Sequence, residues 1–386
     1  MKEKKSFKLK YIFIILLILI MIQIFRNPGL SIKSAKEGLD IWANLLLPSL
    51  LPFLIISNLL ISLGFMDLFG RFLEPLMKPL FNVSGIGIFP FSISMISGYP
   101  VGAKLTSNLR ENNLITKIEG DRLISFSSTS GPLFLLGTVL TGMLNAPELS
   151  PLILIPHYLG AITIGLIFRF YKKNDKSSIE HDVYNLKTTN NSIGALISGC
   201  IKDGIDSMLM IGGFVIIYSV IINIMFKSNL FNSILNIVSK VTFVDIEILK
   251  GIVAGIIELT NGCKMISSLN IKLINKILIL NFLIGWGGFS IHSQALSFIS
   301  NTDINSKIYL VSKFFHGALA SFYTYLLYIF KYKGMLSTTF NTSNFTIPTD
   351  FEHWLSVLVN SAKITVTSFI FISILSILIK QLKVKN

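Results

Sequence analysis

Charge is what this sequence has least of. Only 14% of its 386 residues are Asp, Glu, Lys or Arg, against about a quarter in an ordinary soluble domain. That leaves too little polar surface to keep a globule of this size in water. Cysteine is scarce as well: Cys200 and Cys263 stand alone, without CxxC spacing. Neither a disulfide framework nor a thiolate metal site is supported, and each reads as a small buried residue. No Walker string appears, which leaves an ion gradient or the substrate's own gradient as an energy source. No nucleophile elbow or acid partner accompanies the Ser290/His292 pair, so a hydrolase reading is set aside. The chain is read as a non-enzyme, with no cofactor and no metal.

What is present is apolar. Hydrophobic residues make up 52%, Phe occurs 30 times and mean hydropathy is +0.67. The formal charge of +14 would suit nucleic acid if it lay on one folded face. Instead the lysines collect at the ends of apolar runs. Lys2, Lys4, Lys5, Lys8 and Lys10 precede the first, and Lys380, Lys383 and Lys385 follow the last. This is positive-inside patterning. It predicts cytoplasmic N- and C-termini, hence an even number of spans, with the lipid bilayer rather than nucleic acid as partner.

The expected fold is all-α and integral to a membrane, with about eight transmembrane helices and two re-entrant helical hairpins in an inverted repeat. Residues 1–34 are read as a basic tail and first transmembrane helix. A cleaved signal peptide is the alternative for 11–25, but Arg26 and Pro28 crowd the weak site at Gly29-Leu30-Ser31. Residues 35–171 form a first repeat: a run over 41–64 containing Pro48 and Pro52, and an amphipathic interfacial helix over 67–80. A hairpin over 83–117 and runs at 121–143 and 151–171 complete it. Residues 172–193 are a polar cytoplasmic linker. A second repeat fills 194–331, with a span at 206–226, an amphipathic stretch at 228–240 and a hairpin over 243–275. Spans at 276–300 and 305–331 follow. Residues 332–386 hold an extracytoplasmic loop, a last transmembrane helix and a basic tail.

The halves match residue by residue. Lys36-Glu37-Gly38-Leu39-Asp40 corresponds to Lys202-Asp203-Gly204-Ile205-Asp206, and Gly102-Ala103-Lys104 to Gly262-Cys263-Lys264. The second register carries Ser107 onto Ser267 and Ser130 onto Ser290. Each half has about three spans plus a hairpin, so an odd number of crossings separates the repeats and inverts them. Inverted repeats with broken helices are a recurrent way to build a midplane site with two gates.

Irregular backbone survives at membrane depth only inside protein or beside a wet cavity. Ser97, Gly98, Tyr99, Pro100, Gly102 and Lys104 are therefore expected at the centre, with Glu258, Asn261, Gly262 and Lys264 from the other half. Half-helix N-termini there favour anionic groups. Lys104 and Lys264 either bind an anion or snorkel to the interface. Glu258, in the apolar run IVAGIIEL, either pairs with a lysine or exchanges a proton or cation during a cycle. A second polar set comprises Ser127, Ser128, Thr129 and Ser130 with Ser290, His292, Ser293 and Gln294. These either contact ligand or merely cap and pack helices. Of this set Ser128, Ser130, Ser290 and Gln294 are the candidates for substrate binding.

The strings Ser97-Gly98-Tyr99-Pro100-Val101-Gly102-Ala103-Lys104, Ser127–Pro132 and Asn261-Gly262-Cys263-Lys264 resemble the YlbJ family of sporulation integral membrane proteins. The core of that family is the nucleoside-recognition, or Gate, domain. The resemblance spans about residues 35–331. It implies alternating-access transport of a small anionic aromatic solute, dipicolinic acid, across the outer forespore membrane during spore formation. The Gate domain is also similar to the concentrative nucleoside transporters, so a nucleoside permease is one alternative. A non-transporting scaffold for spore assembly is another. Homo-oligomerisation is left open.

Overall fold

The computed structural model describes residues 2–63, 75–173, 192–333 and 359, and every regular element among the described residues is helical. Helices follow from the apolar runs, because only a helix satisfies its own backbone groups within one segment in lipid. Helix α1 (Lys2–Arg26) leads into α2 (Pro28–Ile41). A wide π-turn over Trp42–Leu46 then joins α2 to α3 (Leu47–Ser62). The turn widens just ahead of Pro48, which has no N–H to give to the preceding turn. A short helix α4 (Pro75–Phe81) bends by 87° into the segment starting at Gly85.

Among the described residues, four helices are long and apolar enough to cross a membrane: Pro28–Leu60, Pro147–Phe168, Ile193–Lys227 and Leu273–Ile299. Counting the bent pair as one span makes five. The protein is a multi-pass integral membrane protein. The expected last helix at 355–380, most of the linker and the first part of the 67–80 helix lie outside the described residues.

Helix α9 (Ile193–Lys227) starts well before the expected 206. Ser192 caps it by accepting from the Ala195 amide, and the ladder carries straight through exposed Ser198, Lys202, Asp203 and Asp206. It runs antiparallel to the α2–α3 rod. Lys227 Nζ meets Asn27 Oδ1 at 2.7 Å at one end, and Ser62 Oγ meets Cys200 Sγ at 3.6 Å at the other. Between them Trp42 Nε1 donates to the Met208 carbonyl at 2.8 Å. Lipid tails are as apolar as leucine, so close approach and dispersion hold such a pair together. Glycine supplies the approach: a methyl group at Gly38 would lie 2.8 Å from Ser219 Oγ, and one at Gly212 would lie 2.7 Å from Trp42 Nε1. On the other face of α9, Leu209 and Met210 are exposed, as expected for residues that meet lipid.

Two hairpins follow the same plan. Hairpin 1 is α5 (Ile88–Ser97) and α6 (Val101–Glu111); after the amphipathic α10 (Asn229–Thr242), hairpin 2 is α11 (Ile246–Ile257) and α12 (Leu259–Ser268). Each is followed by a broken helix. Helix α7 (Lys117–Phe126) unwinds after Ser127 and resumes as a π-helix over Phe134–Met143. Helix α13 (Leu273–Trp286) gives way to α14 (Gly288–Ile299). The span expected over 276–300 corresponds to Leu273–Ile299, with this break inside it. Gly287 and Gly288 adopt φ of +93° and +80°, a region that glycine enters without a side-chain penalty. The ends correspond: α5 stops at Ser97 and α11 at Ile257, α7 at Phe126 and α13 at Trp286, both pairs 160 residues apart. Helices α8 (Ser150–Phe168) and α15 (Ser306–Leu327) pack together beside α13. Phe81, Phe91 and Phe126 fill the space behind hairpin 1, with Phe81 stacked on Phe126 at 4.4 Å.

Candidate functional site

Backbone breaks converge at the middle of the molecule. Helix α5 stops because Gly98 turns to φ +81° and Pro100 cannot continue the ladder. Gly98 lies against Gly131, in the unwound stretch after α7: a methyl group at 98 would sit 2.7 Å from the Gly131 nitrogen. The second half repeats this contact. A methyl group at Gly288 would lie 3.0 Å from the Leu259 nitrogen and 3.1 Å from the Gly255 carbonyl oxygen. Each hairpin break thus presses backbone to backbone on the break of the helix that follows it.

A cavity opens beside these contacts. Hairpin 1 supplies Ser97, Gly98 and Tyr99, and the first broken helix supplies Ser130 and Gly131. Hairpin 2 supplies Glu258, Leu259 and Thr260, and the second broken helix supplies Ser290 and Gln294. Apolar wall comes from α3 and α9, through Leu50, Phe53, Ile211 and Phe214. Ser97 Oγ is buried beside the cavity and has no hydrogen-bond partner among the described residues.

Glu258 is the charged residue of this wall and is 4% exposed. Its carboxylate caps α12, accepting from the Thr260 amide at 3.1 Å and the Asn261 amide at 2.7 Å. Asn261 Nδ2 adds a third bond at 3.0 Å, and Asn261 Oδ1 accepts from Ser219 on α9. The lysine partner weighed from the sequence is not there: no ion pair to Glu258 occurs among the described residues. The positive end of a half-helix takes that role.

Both candidate lysines fall elsewhere. On α6 the buried positions are Gly102, Ala103, Thr106, Ser107 and Leu109, so Lys104 faces outward with Asn108 and Glu111. Its Nζ lies 6.0 Å from the Phe298 ring centroid. Lys264 is likewise exposed, while Gly262 and Cys263 turn inward. Gly102 and Gly262 are not part of the cavity wall. Gly102 lets α6 close on Ser94 and the Ser127 carbonyl, and Gly262 lets α12 close on Gly255. Pro100 is the residue at which α6 begins. The hydroxyls behind the wall are partly committed: Ser127 to Thr106 at 2.9 Å, and Ser94 to the Thr129 amide at 2.9 Å. Ser130 N donates to His157 Nε2. His292 Nδ1 lies 3.3 Å from Tyr309 Oη, and Gln294 Nε2 donates to the Ser290 carbonyl.

The amine at the centre is that of Lys313 on α15, a residue outside the candidate set drawn from the sequence. It is 1% exposed. Its Nζ donates to the Ser128 carbonyl at 2.8 Å, to Tyr99 Oη at 2.9 Å and to His316 Nδ1 at 2.8 Å. It also lies 4.8 Å from the Tyr99 ring centroid. All three partners act as acceptors. The Tyr99 hydroxyl spends its proton on the Ile284 carbonyl at 3.0 Å, and His316 Nε2 donates to the His157 carbonyl at 2.8 Å, leaving Nδ1 its lone pair. Three acceptors match the three N–H bonds of an ammonium. One signal was available: a lysine inside the apolar run YLVSKFFHGALA, where an ionisable residue is by default functional.

Fold and site together define a helical multi-pass membrane protein whose cavity, apolar for the most part with a few polar groups at the backbone breaks, is lined by broken helices from both halves of the chain. Its relatives agree. The profile of the nucleoside-recognition (Gate) family matches residues 45–161. The sporulation integral membrane protein YlbJ of Bacillus subtilis (strain 168) is 33% identical over 328 residues, 79% of this chain and 79% of the relative. The chain belongs to the YlbJ family of sporulation integral membrane proteins. No solved structure matches it.

Proposed function

We propose that this protein is a secondary transporter that moves a small polar solute by alternating access during spore formation. One observation carries the reading. The same cavity is lined by both hairpin breaks and by both broken helices, Ser97–Tyr99 and Ser130 from one half, Glu258–Thr260 and Ser290 from the other. A site shared in this way can be exposed by moving either half against the other. The antiparallel packing of matched segments supports an inverted repeat: Trp42 and Met208 touch and stand 166 residues apart, the spacing between Lys36 and Lys202. Eight spans with cytoplasmic termini complete the proposed arrangement.

The substrate proposed is dipicolinic acid, taken across the outer forespore membrane. Its flat ring suits a wall of Phe53, Phe134 and Phe214, and its carboxylates suit the hydroxyls of Ser97, Ser130 and Ser290 and the side-chain amide of Gln294. Substrate contacts are assigned to Ser97, Gly98, Tyr99, Ser130, Ser290 and Gln294, with Ser128, Pro100, Gly102, Asn261 and Gly262 shaping the wall from behind. Because Glu258 is itself anionic, a dianion enters most readily when that carboxyl carries a proton. Proton symport follows. A second reading, a nucleoside carrier, draws on the Gate-family match and on the carboxylate as an acceptor for sugar hydroxyls.

Uptake of radiolabelled dipicolinate into proteoliposomes, under proton, sodium or no gradient, tests the proposal. Saturable, gradient-driven uptake is expected. Saturable uptake of uridine or adenosine with none of dipicolinate would transfer the function to the second reading. No uptake of either would leave a scaffold for spore assembly.

A further inference from the structure

An ammonium buried in a membrane protein pairs with a carboxylate or with backbone carbonyls. Lys313 has no carboxylate: no ion pair to it occurs among the described residues. It is surrounded instead by neutral oxygen and nitrogen acceptors on three separate elements. Ser128 belongs to the unwound stretch after α7, directly beyond the capping Ser127, and its carbonyl stands at the negative end of that helix. Tyr99 belongs to the tip of hairpin 1, and His316 to α15 itself. In ion-coupled carriers, unwound carbonyls and half-helix C-terminal ends are where a coupling cation is held. Here the place is filled by a side chain.

We propose that Lys313 is a tethered resident cation at the junction of hairpin 1, the break after α7 and α15, occupying with its ammonium the position that a bound monovalent metal ion would otherwise take. The junction therefore needs no sodium or potassium. Positive charge stays behind Tyr99 in every state of the carrier that keeps these three bonds, and Tyr99 presents it to the cavity. The half-sites are unequal for this reason. The 160-residue register places Ile153 opposite Lys313 and Gly98 opposite Glu258, so both central charges come from the second half. Exchangeable charge is left to Glu258, and fixed charge to Lys313. This inference rests on the two-hairpin reading of the site but not on the identity of the substrate.

Lys313→Ala removes three methylenes and the ammonium, and propylammonium replaces those atoms. Thermal unfolding of the purified full-length protein is followed in choline, sodium and propylammonium chloride at equal concentration, with no substrate. The variant should unfold about 5–10 °C below the parent in choline, because three buried acceptors lose their donor. Propylammonium or sodium should restore at least half of that loss, while raising the parent by less. A variant as stable as the parent in choline, or one destabilised and unmoved by either cation, overturns the proposal. If Lys313→Ala does not accumulate, Tyr99→Phe takes its place. It keeps the cation and removes one acceptor, so its stability should fall and sodium should not restore it. Unchanged stability, or restoration by sodium, overturns the proposal. A failed uptake assay with an intact cation response would remove the transport reading and leave this one standing.

Discussion

Gly98 packs its backbone directly on Gly131: the α-carbon of one faces the amide nitrogen of the other so closely that no side chain fits between them. A methyl group at 98 would stand 2.7 Å from that nitrogen, and the residue holds φ at +81°. The contact joins the tip of hairpin 1 to the unwound stretch after α7. It brings two irregular segments, each intolerable alone in lipid, to cover each other's polar backbone.

Gly98→Ala should therefore destabilise the protein for two separate reasons. At φ +81° and ψ −167° the backbone lies in a region essentially confined to glycine, which costs another residue about 1–3 kcal/mol, and the added methyl group pushes the two breaks apart. Gly213 on α9 is the control, because nothing lies within 4 Å of a methyl group there. Gly213→Ala should be neutral or stabilising by up to about 1 kcal/mol. Thermal unfolding in detergent measures both, and equal effects would remove the special role of the break.

The far end of α6 is tied to the second half by Arg110, whose guanidinium bonds Asp303 at 2.8 Å and 3.1 Å in the loop before α15. That hydrogen bond holds the Asp303 carboxyl below its ordinary value. A depressed value contributes stability above the unfolded pKa, about 3.9, and loses it as pH falls through the folded one. Asp303→Asn should lower the unfolding temperature slightly near neutral pH, since partly exposed pairs are worth roughly 0–1 kcal/mol. The difference from the parent should shrink as pH falls below about 4. A difference that persists in strong acid would show that shape, not charge, matters at 303.

The hairpins were legible because Gly98 and Pro100 interrupt an apolar run that is otherwise unbroken. Glu258 stood out as a carboxylate inside IVAGIIEL, where the sequence left a lysine pair and an exchangeable proton or cation both open, and it lines the cavity with no ion pair among the described residues. The break at Gly287–Gly288 was not legible, since two glycines in an apolar run fit a continuous helix as well as a broken one until φ is known. Lys104 and Lys264 misled for a geometric reason. Their inward or outward aim depends on where α6 and α12 begin, and a shift of one residue turns a helix face by 100°. Lys313 was hidden by its surroundings. Its three partners lie on α15, hairpin 1 and the α7 break, and no spacing along the chain brings Tyr99, Ser128 and Lys313 together.

Lys104→Ala and Lys264→Ala should consequently leave dipicolinate uptake within about twofold of the parent, the scale of ordinary surface substitutions. Both side chains face away from the cavity, and neither makes an ion pair among the described residues. Uptake per inserted molecule in proteoliposomes is the measurement. A tenfold loss with normal insertion would mean that α6 or α12 rotates its lysine inward at another stage of the cycle.

Glu258→Gln separates coupling from architecture. The glutamine oxygen can keep one of the two backbone bonds to Thr260 and Asn261, while its amide group meets N–H donors where the carboxylate met none of its own kind. Loss of a helix cap of this sort costs about 1 kcal/mol, so the protein should still fold and insert. What it cannot do is release and regain a proton. In the parent, an inward proton gradient should accelerate dipicolinate uptake. In the variant, uptake should be slower and indifferent to the gradient, while the dependence on membrane potential should change because one charge no longer travels with the cycle. Uptake is measured at matched substrate concentration, with the pH step and the potential set separately by ionophores. If Glu258→Gln remains gradient-driven, the proton is carried elsewhere and the carboxylate is no more than the cap of α12.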